Sequence, residues 1–403
     1  MSFVERVLVQ GADSPTIDAF GRLRVSTPQS LINFKNLTTT DRNIYNVSAS
    51  GTATSAYLQS DARTRFSVTT TGDSIIYQTF ERFVYQTGKS HLILMTGVCS
   101  QSTGVTKRLG YWDGTDGIFF QTSGTAETAI SWNIWKNGTL TETASQSAWN
   151  IDKFDGTGPS GMTLDTTLNQ IWWIDLEWLG VGRVRCGFVY RGIMYTAHEF
   201  RHSNETGFSS VFMSNPNLRI RYDITSNGSA GTLDAICATV QTEGGDKLDG
   251  LGRSCDTSGT TNTIANGSNQ AILAVRWQSG KHRGTAFPVR ISVCNTASAT
   301  NPFRWALLLN PTTSTNLTAA AWTAITNSDL EFTANNNYTI SNEGYKIASG
   351  YADGFTDRDL LDIDLRKIGS SIGGVSDILV LSVHCLGGNS QTFTASINIL
   401  ENI

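Results

Sequence analysis

The stretch QIWWIDLEWLGVGRVRCGFVYRGIMYTAHEF, residues 170–200, decides the fold class. Its side chains alternate with period two, placing Ile171, Trp173, Asp175 and Glu177 on one face of a strand and Trp172, Ile174, Leu176 and Trp178 on the other. Gly180 and Gly182 turn the chain into RVRCGFVY, and Arg191-Gly192 turns it again into IMYTAHEF. The reading is a three-stranded antiparallel meander.

The same signals recur outward from this run. SHLILMTGVC (90–99) is bounded by turn glycines, and GYWDGTDGIFFQT (110–122) places two Asp-Gly pairs between aromatic arms, as a hairpin requires. AILAVRW, FPVRISVC, FRWALLLN, ILVLSVHCL and TASINIL continue the pattern after residue 270. The 403 residues include 38 Gly, and no long window is dominated by strong helix formers. TAAAWTAI near 318–325 is the single helical candidate. These observations predict an all-β chain of two β-sandwich or jelly-roll-like domains, 51–245 and 270–403. A Gly/Ser/Thr/Asn-rich linker over 246–269 separates them, and an extended arm over 1–50, interrupted by Pro15, Gly21 and Pro28, precedes them.

Composition excludes several functions. A net charge of −4, with Lys and Arg scattered, gives no phosphate-binding surface, so no nucleic acid is expected as a partner. The six cysteines form no C-x-x-C pair, and the expectation is reduced, buried thiols. No window reaches the ~20 apolar residues of a membrane span, and the N-terminus lacks a signal-like apolar run. Membrane insertion is not expected, and synthesis in a cytoplasm is.

The chemistry-bearing patterns each have a plainer reading. His198-Glu199-Phe200-Arg201-His202 has the H-E-x-x-H spacing of zinc proteases. Two histidines four apart reach one ion on a helix, ~5–6 Å apart, whereas on a strand they lie ~13 Å apart. The residues before His198 read as strand, so partly buried imidazoles near a strand end are expected. TGKSH (87–91) lacks a phosphate-loop glycine, because Phe83 occupies that place. Asp175 and Glu177 have a spacing open to glycosidase acid/base work or to a solvated strand face, with the neighbouring tryptophans as groove or core. Asp353, Asp357, Asp359, Asp362 and Asp364 could supply three or four oxygens to a cation or form a solvated loop. No catalytic, cofactor or metal residue is assigned.

IDAFGRLRVSTPQSL (17–31), YQTGKSHLILMTG (85–97), WNIDKFDGTGPSGMTLD (149–165), DLEWLGVGRVRCGFV (175–189) and NPNLRIRYDI (215–224) resemble a family of virion structural proteins of tailed bacteriophages, with related sequences in some large viruses. The resemblance covers most of residues 1–245. It implies a non-enzymatic virion component, oligomeric and trimeric in expectation, in the tail, a fibre or another external appendage, and contributing to host attachment. A capsid decoration protein is the near alternative, and a glycan-binding or glycan-cleaving receptor protein is an alternative of another class. Its partners would be copies of itself, other virion proteins and a host-surface glycan. Phe20, Gly21, Arg22, Leu23, Arg24 and Val25 are the expected assembly contact.

Overall fold

The computed structural model describes residues 17–19, 27–37, 44–126, 129–244, 250–258, 260–297, 301–335, 338–360 and 367–403. They are almost entirely strands and turns, and the ladders are antiparallel. The fold is all-β. The chain divides into two compact units, Met1–Thr79 with Phe83–Lys247, and Phe80–Arg82 with Leu248–Ile403.

The first unit contains β1 Pro28–Lys35, β2 Tyr45–Ser50, β3 Thr54–Leu58, β4 Arg63–Val68, β5 Ser74–Thr79, β6 His91–Val98, β7 Val105–Trp112, β8 Gly117–Ser123, β9 Ile130–Lys136, β10 Thr139–Ser145, β11 Gln170–Leu176, β12 Val184–Tyr190, β13 Ile193–Phe200, β14 Ile220–Ser226 and β15 Gly231–Glu243. An eight-stranded sheet runs β13-β12-β11-β6-β15-β4-β3, with β1 also on β15, and a seven-stranded sheet runs β10-β9-β8-β7-β14-β5-β2. The expected meander is thus β11-β12-β13.

Alternation explains why the two sheets bury a common core. Phe120 and Trp132 of the seven-stranded sheet pack on Trp172 and Phe188 of the eight-stranded one, with Phe120 ring centroids 5.3 Å from Trp132, 5.8 Å from Trp172 and 5.7 Å from Phe188. Tilted and edge-on contacts at these separations suit aromatic quadrupoles and add to the burial term. Inward-facing Lys107 is fully buried, and its ammonium donates to the Ser100 carbonyl at 2.5 Å and to the Ser100 and Ser102 hydroxyls at 3.0 Å. Burial pushes its pKa down. The six cysteines are free, and burial drives the Cys99 thiol up to about 11 and that of Cys255 to about 12.

In the second unit, Gln391–Asn402 alternates buried and half-buried residues without a break and pairs with Leu251–Asp256, Asn262–Ile264 and Thr285–Asn295. The other sheet centres on Asn269–Trp277, Leu379–Cys385 and Pro302–Leu309. Its outer face is apolar, and Leu317, Ala320 and Trp322 cover it.

Three expectations differ from what is observed. The stretch read as a linker over 246–269 contains the strands Leu251–Asp256 and Asn262–Ile264, whose backbone bonds to Gln391–Asn402 while only Cys255, Asn262 and Ile264 are buried, too few to show an apolar pattern in sequence. Within 1–50, β1 and β2 are sheet strands rather than arm, since β1 bonds to β15 from Pro28–Glu243 to Lys35–Cys237. The helical candidate is a 3-10 turn, Leu317–Ala319, followed by the short strand Thr323–Ala324. Among the described residues no helix is long and apolar enough to cross a membrane.

Candidate functional site

His198-Glu199-Phe200 closes strand β13, so successive side chains point to opposite faces. His198 packs edge-on against Phe200 at 4.4 Å. Burial pushes its pKa down to about 4, so the ring is neutral near neutrality. Glu199 is buried and pairs with Arg183 at 3.2 Å and Arg201 at 2.6 Å. His202 lies beyond the strand, stacked on Phe212 at 4.1 Å, with Nδ1 2.5 Å from the Gly182 carbonyl and Nε2 3.0 Å from a Glu142 oxygen. A carbonyl only accepts, so Nδ1 carries the hydrogen. Both His202 nitrogens are therefore engaged in structure. Among the described residues no group of three or more His, Cys, Asp or Glu is placed to hold a metal ion.

The Asp175/Glu177 pair is not a solvated face, because both residues are buried. Asp175 pairs with Arg185 across β11 and β12. Arg185 also donates to the Ile17 carbonyl at 2.8 Å, and Arg183 to the Ala19 carbonyl, so residues 17–19 lie over this ion pair. Trp172 belongs to the core, Trp173 donates its indole N–H to the Tyr195 carbonyl at 3.2 Å, and Trp178 donates to Met213 at 3.1 Å. They pack rather than line a groove. Phe20, Gly21, Arg22, Leu23, Arg24 and Val25 lie outside the described residues, as do Asp362 and Asp364. Asp357 and Asp359 both face Arg290, Asp357 in direct contact and Asp359 at 3.7 Å.

The most functional-looking surface was not singled out by sequence. Because Leu109, Tyr111, Ile118, Phe120, Trp132, Ile134, Ile220 and Tyr222 point into the core, their neighbours along β7, β8, β9 and β14 face the other way. The ladder registers align these into two rows across the seven-stranded sheet. One reads Thr143, Asn133, Phe119, Gly110, Arg221, Gln78 and Asn46. The other reads Ser145, Ser131, Gln121, Arg108, Asp223, Ile76 and Ser48. Beside them Trp112 and Trp135 flank Gly117.

An aromatic shelf forms here because two glycines make room for it. Gly117, at φ +143°, is packed against Trp112, and Gly110 leaves the position between Phe119 and Arg221 without a side chain. Ring centroids are 4.6 Å apart for Trp112 and Phe119 and 5.7 Å for Trp112 and Trp135. The Arg221 guanidinium sits 4.2 Å from the Trp112 centroid, and Arg108 lies 5.7–5.9 Å from Trp112, Phe119 and Trp135. Both distances suit cation–π attraction. Arg108, Gln121 and Trp135 are partly exposed above buried Trp112 and Phe119.

Its electrostatics are unsettled in a way packing alone does not require. Desolvation pushes the Arg221 pKa down, and burial pushes the Asp223 carboxyl up. Arg221 contacts Asp223 at 3.3 Å, and Arg108 stands 3.9 Å from it. Trp112 Nε1, Arg221 Nε and Asp223 Oδ1 are buried without a hydrogen-bond partner among the described residues. Such clusters of perturbed, incompletely bonded groups mark functional surfaces more often than plain ones.

No protein-family model and no curated protein matches the chain. Among solved structures it is similar to an immunostimulatory antigen and pseudo β-1,3-glucanase of Mycobacterium tuberculosis, at 10% identity over 54% of this chain and 99% of that one, with a TM-score of 0.37. It is also similar to a Bacillus subtilis protein of unknown function with a galectin-like fold, at 10% identity over 54% and 97%, TM-score 0.35. A legume lectin-like domain from Entamoeba histolytica gives 8% identity over 52% and 95%, TM-score 0.32. Scores this low bear on no individual residue, and the all-β architecture stands on the strands themselves.

Proposed function

We propose that the chain is a non-enzymatic component of a virion exterior whose first unit binds a host-surface glycan on the outer face of the seven-stranded sheet. The observation that carries the binding role is the partly exposed Trp135 ring beside partly exposed Arg108 and Gln121, backed by the buried rings of Trp112 and Phe119. Sugars present apolar C–H faces rimmed by hydroxyls. Aromatic rings stack on the first, and planar polar side chains bond pairwise to the second. The carboxylate that cleavage would use at Asp175 is engaged by Arg185, which favours binding over hydrolysis. The virion role is supported by the resemblance of segments 17–31, 85–97, 149–165, 175–189 and 215–224 to phage structural proteins.

Screening the full chain against immobilised host-envelope glycans tests the binding role. Trp135→Ala, at a partly exposed ring, is expected to weaken binding about tenfold or more while leaving the unfolding midpoint nearly unchanged. Unchanged affinity in that variant removes the face from consideration. For the virion role, copy number in purified particles separates an oligomeric tail or fibre component from a capsid decoration. Stoichiometry with the major capsid protein overturns the tail assignment.

A further inference from the structure

The charged groups on this face are not equally satisfied, and the difference selects among sugars. Arg221 is spent internally, reaching Gln78 Oε1 at 3.1 Å, the Asp113 carbonyl at 3.3 Å and Asp223 at 3.3 Å. Asp223 is likewise turned inward, 4% exposed, and faces both arginines. Asp113 accepts the Thr115 and Asp116 N–H groups of its own turn at 2.8 and 2.9 Å. Arg108 differs from all three. Its Nε donates to Gln121 at 2.8 Å, fixing the plane of the guanidinium, while its nearest carboxylate oxygen is 3.9 Å away, beyond hydrogen-bond reach. Its side chain is 27% exposed, and the remaining N–H groups of its fork have no hydrogen-bond partner among the described residues.

A held, partly exposed guanidinium beside a partly exposed indole is the geometry that recognises a planar anion attached to a ring. We infer that the face selects an acidic saccharide, with the carboxylate of a uronic-acid-type sugar on the free edge of Arg108 and the sugar ring against Trp135. The fork matches a carboxylate in two parallel N–H···O bonds, which a hydroxyl cannot reproduce. Gly110 lets β8 approach closely in the adjoining row, which seats Phe119 beneath this edge of the face. The inference rests on the glycan-binding role proposed above and adds the charge class to it.

The test measures affinity of the full-length chain for oligogalacturonate, oligomannuronate and oligoglucuronate, each beside its carboxyl-reduced form, with a sulfated neutral oligosaccharide as a further arm. At least one acid form is expected to bind about 10- to 100-fold tighter than its reduced counterpart, the size of one charge-assisted pair. Arg108→Gln should abolish that difference while the weak affinity for the reduced form persists. Arg108→Lys should keep part of it, because charge remains and the fork does not. Equal binding of acid and reduced forms overturns the acidic-sugar inference and leaves glycan binding standing. Binding of the sulfated arm alone overturns the carboxylate assignment. Failure of every glycan, neutral or acidic, overturns the binding role itself. Persistence of the preference in Arg108→Gln, shown by circular dichroism to be folded, overturns the assignment to Arg108.

Discussion

At the scale of single residues, His198 shows how a spacing borrowed from metalloenzymes becomes a stability term. Its ring is held neutral by burial, with a pKa of about 4 against the ordinary 6.5, and Glu199 beside it offsets only part of that shift. Between those two values the unfolded chain takes up a proton that the folded chain refuses, so folding is opposed by acid. The contribution is complete above pH 6.5 and is lost progressively as pH falls towards 4. Urea midpoints measured from pH 7.5 to 4 should fall more steeply for the native chain than for His198→Asn, which has no proton to gain there. Parallel curves would sink this account. Glu199 is not available as a general base in either case, since Arg183 and Arg201 hold it and the Asn150 amide bonds to its backbone N–H at 2.9 Å and carbonyl at 3.0 Å. That amide also closes the edge of β13, where the Ala197 carbonyl accepts from Ile151 and Asp152.

At the scale of elements, the candidate face depends on how closely β7 and β8 approach. A Cβ on Gly110 would stand 2.3 Å from the Ile118 carbonyl oxygen and 2.6 Å from the Phe119 Cα, both backbone atoms that cannot swing aside. Gly110→Ala should therefore part the strands, cost about 1–3 kcal/mol in chemical denaturation and abolish glycan binding together with the Trp112–Phe119 packing. Gly252→Ala, where nothing lies within 4 Å, serves as the control and should change stability by less than about 0.5 kcal/mol. Equal effects of the two would refute the close-approach argument. Individual strands were legible beforehand because alternation is local: β11, β12 and β13 follow directly from residues 170–200. The face was not, because Arg221 meets Gly110 only through the pairing of β14 with β7, more than a hundred positions apart in sequence. The same non-locality hid β1, whose polar residues read as an arm until β15 is placed beside them. Composition likewise misled over 251–264, where strands with few buried residues look like a linker.

At the scale of the whole molecule, the boundary between the units is not a single cut. Phe80–Arg82 belong to the second unit although the chain on both sides of them belongs to the first. Within that unit the Phe80 carbonyl accepts from Ser370 N at 3.3 Å, Glu81 Oε1 accepts from Lys367 N at 2.9 Å, and Arg82 Nε donates to the His282 carbonyl at 2.6 Å. Gly369 is obligatory beside them, since a Cβ there would come within 2.4 Å of the Phe80 carbonyl oxygen. A fragment of residues 248–403 lacks all three partners and exposes their bonding groups. Each lost bond costs about 1 kcal/mol, so the fragment should melt several degrees below the corresponding transition of the intact chain. Loss of neighbouring chain could lower that transition for other reasons, and the double variant Glu81→Ala/Arg82→Ala in the full-length chain separates the causes. Followed by calorimetry, it should reproduce much of the fragment's shift in the second unit's transition and leave the first unit's transition in place. An intact chain whose second transition ignores both substitutions would show that the three residues merely pass through the fold that surrounds them.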